Sequence, residues 1–287
     1  MHQFKVVGIG ELLWDMLPQG KQIGGAPCNF AYHAFQAGCR PFVISALGAD
    51  ASGDEILAKF DEFGLDKSFV QRTANLPTGT VTVSLDMNGI PTYIIHENVA
   101  WDNIVWNNPL ETLAKNVDAV CFGSLAQRNT VSQQTILSFL NATKTDCLRV
   151  FDINLRQTFY NNETILKSLE LANILKLNDD ELPVVAELIG LLGNDNELLS
   201  QLMNRFNLKL IALTKGAKGS LLQTENDQSF MEVTKVQIAD TVGAGDSFTA
   251  VLVAGLLQNH ELKRIHETAT QVAAFVCTQD GAMPVYK

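Results

Sequence analysis

Several familiar signatures are missing from this 287-residue chain. It has no G-x-x-x-x-G-K-[ST] string; the nearest approach, "TKGAKGS", is wrongly spaced, which excludes a Walker-type phosphate loop. The dinucleotide pattern G-x-G-x-x-G fails as well, because "GIGELL" ends in Leu13. The five cysteines (Cys28, Cys39, Cys121, Cys147 and Cys277) include no C-x-x-C pair, and no zinc spacing links them to histidine. Each lies among apolar neighbours, so buried thiols in a reducing compartment are expected. No apolar run approaches the about 18 residues that suggest a membrane span, so no membrane partner is expected. Basic residues are scarce, with 21 Lys and Arg against 31 Asp and Glu, and the net charge of −10 argues against a nucleic-acid partner. The opening "MHQFKVVGIGELLWD" lacks a basic region followed by a small-residue cleavage site and reads as a first strand. A cytoplasmic location is expected.

Apolar residues, by contrast, are plentiful: 46% against 18% charged, enough for a sizeable core. Short, nearly continuous apolar runs ("KVVGIG", "FVISALG", "DAVCFG", "CLRVFDIN", "ANILKLN", "KLIALT") alternate with helical or turn segments. That pattern predicts an α/β fold with a mainly parallel sheet covered on both faces. No repeat or low-complexity stretch divides the chain, so one domain over 1–287 is expected. "TVTVSLDMNGIPTYIIHE", Thr80 to Glu97, breaks the rhythm. Alternation at Val81, Val83 and Leu85, a turn at "MNG" and Pro91 suggest an edge hairpin. A flap over a cleft and an ordinary edge hairpin fit it equally well.

The stretch "DTVGAGDSFTAVLVAGLLQ", Asp240 to Gln258, sets two glycines and a carboxylate at the mouth of an apolar helix. Gly243, Ala244 and Gly245 leave the first-turn N–H groups uncovered, a site for negative charge. Asp246 then lies in the first turn, where the dipole is expected to keep it ionised at neutral pH. Such a carboxylate can take a proton from an attacking hydroxyl while the N–H groups hold phosphoryl oxygens. A capped helix with a tight entry turn is the competing reading.

These residues carry a resemblance. "DTVGAGDSF" is similar to the C-terminal signature of the ribokinase-like (pfkB) carbohydrate kinases, and "GGAPCNFAYHAFQAG", Gly24 to Gly38, resembles their N-terminal signature. The two stand in the family's order, and the likeness runs over essentially the whole chain. "GELLWDMLP", "FGSLAQR" and "FDINLR" resemble the fructokinases most within that family.

The resemblance implies a three-layer α/β sandwich with a small antiparallel β lid, formed by segments at about 12–24 and 80–97. It implies transfer of the ATP γ-phosphate to a sugar hydroxyl, with Asp246 as base and Gly243, Ala244 and Gly245 as the anion hole. Asp15, Gly25, Asn29 and Arg156 would meet the sugar, although a surface salt bridge is an equal reading for Arg156. "LKLNDDE" resembles the family's N-x-x-E motif. Asn178 would then lie with the nucleotide, and Glu181 would organise Mg²⁺ through water; a helix cap fits the same residues. "LTKGAKGS" resembles the nucleotide-side loop, with Thr214 and Gly216 along ATP and Gly219 opening the next strand. Lys215 takes no derivable role, and Lys218 reads as solvated. Tyr93, Asn98 and Trp101 are assigned to the lid region by analogy. Family members also use a monovalent cation such as K⁺, and Asp240, the Val242 carbonyl and Gly281 match its positions.

Other acceptors (ribose, a sugar acid, a nucleoside) fit the same resemblance, because a few pocket contacts choose the acceptor. A sugar-sensing protein without phosphotransfer is a further alternative, opposed by the presence of Asp246 and its glycines. A homodimer through the lid edge and a monomer both remain open.

Overall fold

The computed structural model describes residues 3–17, 20–85, 91–233 and 236–286. Strand β1 (Lys5–Ile9) is followed by the antiparallel pair β2 (Leu13–Leu17) and β3 (Gly20–Gly24). Helix α1 (Ala26–Gln36), strand β4 (Arg40–Gly48) and helix α2 (Ala51–Phe63) come next. Short β5 (Val70–Thr73) precedes a second antiparallel pair, β6 (Gly79–Leu85) and β7 (Pro91–Ile95). Helix and strand then alternate through α3 (Asn108–Ala114), β8 (Ala119–Phe122), α4 (Thr130–Ala142), β9 (Leu148–Asp152), α5 (Asn162–Leu171) and β10 (Ile174–Asn178). Helices α6 (Glu181–Ile189) and α7 (Asp195–Phe206) lead to β11 (Leu210–Thr214), β12 (Ser220–Thr224) and β13 (Gln228–Met231). Two long helices follow, α8 (Ala244–Leu257) and α9 (Leu262–Cys277).

Among the described residues nine strands form one sheet, in the order β13-β12-β11-β10-β9-β8-β1-β4-β5. All neighbours run parallel except β11–β12 and β12–β13. Its central strands are largely apolar because both faces are covered. Val7, Val120, Phe151, Leu175 and Ile211 point into a core shared with α3 to α7. Their neighbours Val6, Ala119, Val150, Ile174 and Leu210 point into a core under α1, α8 and α9. Each of these Val, Leu, Ile and Phe side chains contributes about 1.5–3 kcal/mol on leaving water. The α/β fold with a mainly parallel sheet is therefore as expected.

The second sheet is small, in the order β3-β2-β6-β7. Two antiparallel pairs are joined through parallel β2 and β6, with Trp14 opposite Thr80. The "MNG" turn lies outside the described residues. Asn98 follows β7 with φ of 57°. Trp101 is fully buried at the root of the small sheet, its indole against Gly79 of β6 and beneath the Arg128 guanidinium at 3.9 Å.

Cys28, Cys39, Cys121 and Cys147 are buried free thiols, and Cys277 is half-buried. No helix among the described residues is long and apolar enough to cross a membrane.

Candidate active site

Parallel strands of one sheet end on a common edge, and their C-terminal ends gather the polar groups that the strands exclude. Glu11 follows β1, Asp152 ends β9, Asn178 ends β10 and Thr214 ends β11. Asn178 and Thr214 are direct partners in the β10–β11 register.

Helix α8 meets this edge with its N-terminus. Gly243 caps it at φ 79°, and Ala244, Gly245 and Asp246 form the first turn. A Cβ on Gly243 would strike the backbone of Ala282, so only glycine fits both the left-handed conformation and the space. Asp246 Oδ2 accepts a hydrogen bond of 2.7 Å from Asn29 Nδ2. The two glycine signatures, 217 residues apart, thus meet at one carboxylate. Burial, then repulsion from Asp152, pushes the Asp246 carboxyl up to about 6, while Asn29, Lys176 and Arg156 pull it down. Desolvation makes this carboxyl harder to ionise than an ordinary aspartate, yet with a pKa of about 6 it is still mostly ionised at neutral pH, as expected.

Two further acids share the cleft. Glu11 is buried, and its Oε1 accepts the Ala26 N–H at 3.2 Å, capping α1 from outside the helix. Burial pushes its pKa up to about 7, and nearby Asp246 adds to the rise. Asp15 on β2 is raised to about 6 by burial; Arg156 offsets part of the rise and Asp240 adds to it. Gly25, at φ 111°, lies against the Glu11 backbone where a side chain would collide. Arg156 donates to the Leu155 carbonyl at 3.1 Å, and its charge favours ionisation of Glu11, Asp15 and Asp246. Asp15, Asn29, Arg156 and Asp246 therefore converge.

Beneath the glycine turn lies a buried ion pair. Lys176 Nζ is 3.0 Å from Asp152 Oδ1, and a Cβ on Gly245 would sit 3.0 Å from the same ammonium. Thr249, one turn further along α8, donates to Asp152 Oδ2 at 2.9 Å. Burial works against the Lys176 charge, but Asp152 and Glu181 overcome it and raise its pKa. Sequence reasoning missed Glu11, Asp152, Lys176 and Thr249. A signal existed: "GELLWD", "VFDIN" and "ILKLN" each set a charge in an apolar strand run, which is tolerable only where the charge is paired.

The N-x-x-E pair forms the helix cap that was its alternative reading. Asn178 Oδ1 accepts the N–H groups of Asp180 (2.9 Å) and Glu181 (2.8 Å). Buried Glu181 returns its oxygens to the N–H groups of Asn178 (2.8 Å) and Leu155 (2.9 Å). Thr214 donates to the Leu177 carbonyl at 3.4 Å, and Gly216 and Gly219 bracket the tight turn into β12. Lys218 is ion-paired with Asp179 at 3.0 Å rather than merely solvated, and Lys215 pairs with Asp195 at 2.7 Å. Asp240 Oδ1 accepts the Val242 N–H at 3.0 Å, and Gly281 has φ of 78°. Tyr93 is exposed, and its carbonyl accepts from Gln157 at 2.6 Å, tying β7 to the loop beyond Arg156.

Residues 18–286 match the family described as pfkB family carbohydrate kinase. A fructokinase from Salmonella typhimurium is 27% identical, spanning 97% of this chain and 95% of its own. A ribokinase from Dictyostelium discoideum is 28% identical, spanning 92% of this chain and 86% of its own. The crystal structure of an uncharacterized sugar kinase from Pyrococcus horikoshii in complex with ATP is similar at a TM-score of 0.82. It is 26% identical and covers 98% of this chain and 94% of that one.

Proposed function

The chain belongs to the pfkB family of carbohydrate kinases, a phosphotransferase family, and on that premise we propose that it phosphorylates fructose with ATP. The observation that carries this reading is the 2.7 Å contact between Asn29 and Asp246, beside the open first turn of α8. In the proposed step Asp246 accepts the proton of a sugar hydroxyl as that oxygen bonds to the γ-phosphorus. The bond from phosphorus to the bridging oxygen breaks, and ADP leaves. Gly243, Ala244 and Gly245 present N–H groups to the phosphoryl oxygens, where preorganised donors are worth most. Asp15, the Gly25 backbone, Asn29 and Arg156 orient the sugar, and the small sheet closes over it as a lid. Asn178, Thr214, Gly216 and Gly219 line the nucleotide.

Charge supports a neutral acceptor. Glu11, Asp15 and Asp246 share the field of one arginine, Arg156, and Asp240 lies near Asp15. A sugar carrying its own phosphate would meet this net negative field, whereas free fructose would not. Magnesium bound with the nucleotide supplies charge neutralisation of the phosphates. Glu181 already accepts two backbone N–H groups, which fits contact with a hydrated ion through water better than direct ligation. Asp240 with the carbonyls of Val242 and Gly281 gives an all-oxygen set suited to K⁺. Free buried thiols suit a reducing, ATP-supplied cytoplasm.

The test is a panel of fructose, ribose, fructose phosphate, a sugar acid and a nucleoside, assayed with ATP and Mg²⁺, with and without K⁺. Fructose is expected to give the highest kcat/KM; preference for a nucleoside or a phosphorylated sugar would overturn the reading. Asp246→Asn is expected to lower kcat by about 10²-fold or more with sugar binding kept in calorimetry. Near-normal turnover would remove Asp246 from its role.

A further inference from the structure

Helix α1 carries Asn29, His33 and Gln36 at spacings of four and three, so the three side chains share one face. Asn29 reaches Asp246. The other two reach the segment beyond α9. His33 Nε2 lies 2.8 Å from the Ala282 carbonyl, which can only accept, so this nitrogen carries the proton. Nδ1 is then bare and accepts from the Tyr286 hydroxyl at 2.7 Å. Gln36 completes the attachment by donating to the Pro284 carbonyl (2.9 Å) and accepting the Tyr286 N–H (2.7 Å). His33 is fully buried and stacks on the Tyr286 ring, 5.6 Å between centroids at 14°. Burial pushes its pKa down to about 4, so the imidazole stays neutral and the donor pattern is fixed at working pH.

The strapped segment rests on the glycine turn. The Ala282 backbone occupies the space where a Cβ of Gly243 would go. Gly281, next to it, faces Gln22 of β3, whose Oε1 would lie 2.9 Å from an added Cβ. Residues 281–286 are therefore held between α1, the small sheet and the turn before Asp246. Close-packed backbone transmits displacement, so the strap's position fixes the turn's position.

We propose that His33 is a positioning residue for phosphoryl transfer, clamping the segment after α9 onto α1 so that the Gly243–Gly245 turn keeps its register with Asn29 and Asp246. This rests on the reading that the turn holds the transferring phosphoryl group. It also accounts for a histidine at a fully buried helix position: an apolar residue would leave the Ala282 carbonyl unpaired.

Three variants test it: His33→Leu, His33→Gln and Tyr286→Phe, read by kcat, by KM for sugar and ATP, and by backbone hydrogen exchange. His33→Leu is expected to lower kcat about tenfold, the scale of a small misplacement near the chemistry, with sugar KM changed less than about twofold. Exchange should quicken in both 282–286 and 241–246. His33→Gln keeps a donor and should recover most of kcat; Tyr286→Phe should show a smaller loss of the same kind. If His33→Leu fails to fold, Tyr286→Phe carries the same readouts. The inference is overturned if exchange quickens in 282–286 alone, if kcat stays within about twofold of the parent, or if Gln does no better than Leu. Asp246→Asn reports on the turn's chemistry separately, so loss of the strap and loss of the kinase reading are distinguishable.

Discussion

The two ends of the cleft are built by opposite means. At the α8 end the charges are withdrawn from water: buried Glu11 and half-buried Asp15 and Asp246 have raised pKa values, and Lys176 and Asp152 pair in the interior. At the β11–β12 end the charges are outside, with Lys215 and Lys218 held to Asp195 and Asp179 at the surface. Desolvated charges are costly to install but act strongly on whatever enters beside them, whereas surface pairs are screened and replaceable. The contrast suits a reaction whose chemistry needs preorganised charge at one end and only a shaped, tolerant berth at the other.

The largest expected effect comes from unpairing the buried end. Lys176→Met leaves the Asp152 carboxylate buried without its cation and should cost about 3–5 kcal/mol in chemical denaturation. Adding Asp152→Asn should recover much of that loss. A single-variant cost below about 1 kcal/mol would erase the distinction between the two ends.

A middle-sized effect lies in pH dependence. Asp246 has a folded pKa of about 6, above the ordinary aspartate value of about 3.9, so the folded state holds that proton more tightly than the unfolded chain. Its contribution to stability is thus greatest in acid and falls as pH rises between those values. Activity should move the opposite way, with an acidic limb of kcat/KM near pH 6 as the base ionises. Asp246→Asn should be more stable than the parent at pH 7 and nearly equal at about pH 4, by thermal unfolding across that range. Equal stability at both pH values would mean that the carboxyl is not desolvated.

The smallest effect belongs to the other end. Lys218→Ala should leave the denaturation midpoint unshifted and the KM for ATP within about twofold, since its partner Asp179 stays solvated. A larger rise in that KM would give Lys218 a part in holding nucleotide and blur the comparison.

The sequence made the large sheet readable because strands buried on both faces cannot hide their apolar runs. The turn at Gly243–Gly245 was equally legible, since local backbone needs dictate glycine there. Less visible was how the small sheet closes, because the parallel pairing of β2 with β6 joins residues more than sixty positions apart. The burial of Trp101 was hidden for a related reason: α4 and Arg128, which help to enclose it, lie well beyond it in the chain. His33 gave no hint at all. One histidine in a buried helix reveals nothing until residue 282 returns to meet it.

The distance along the chain between Asn29 and Asp246 also has a consequence during synthesis. Sheet strands β1 to β11 and the surfaces assigned to sugar emerge from the ribosome well before α8 does. A nascent chain halted before residue 240 would hold half of a lock, with an amide waiting for a carboxylate not yet made. Under the proposed mechanism such fragments consume no ATP, so translation errors that stop short yield inert material rather than a wasteful hydrolase.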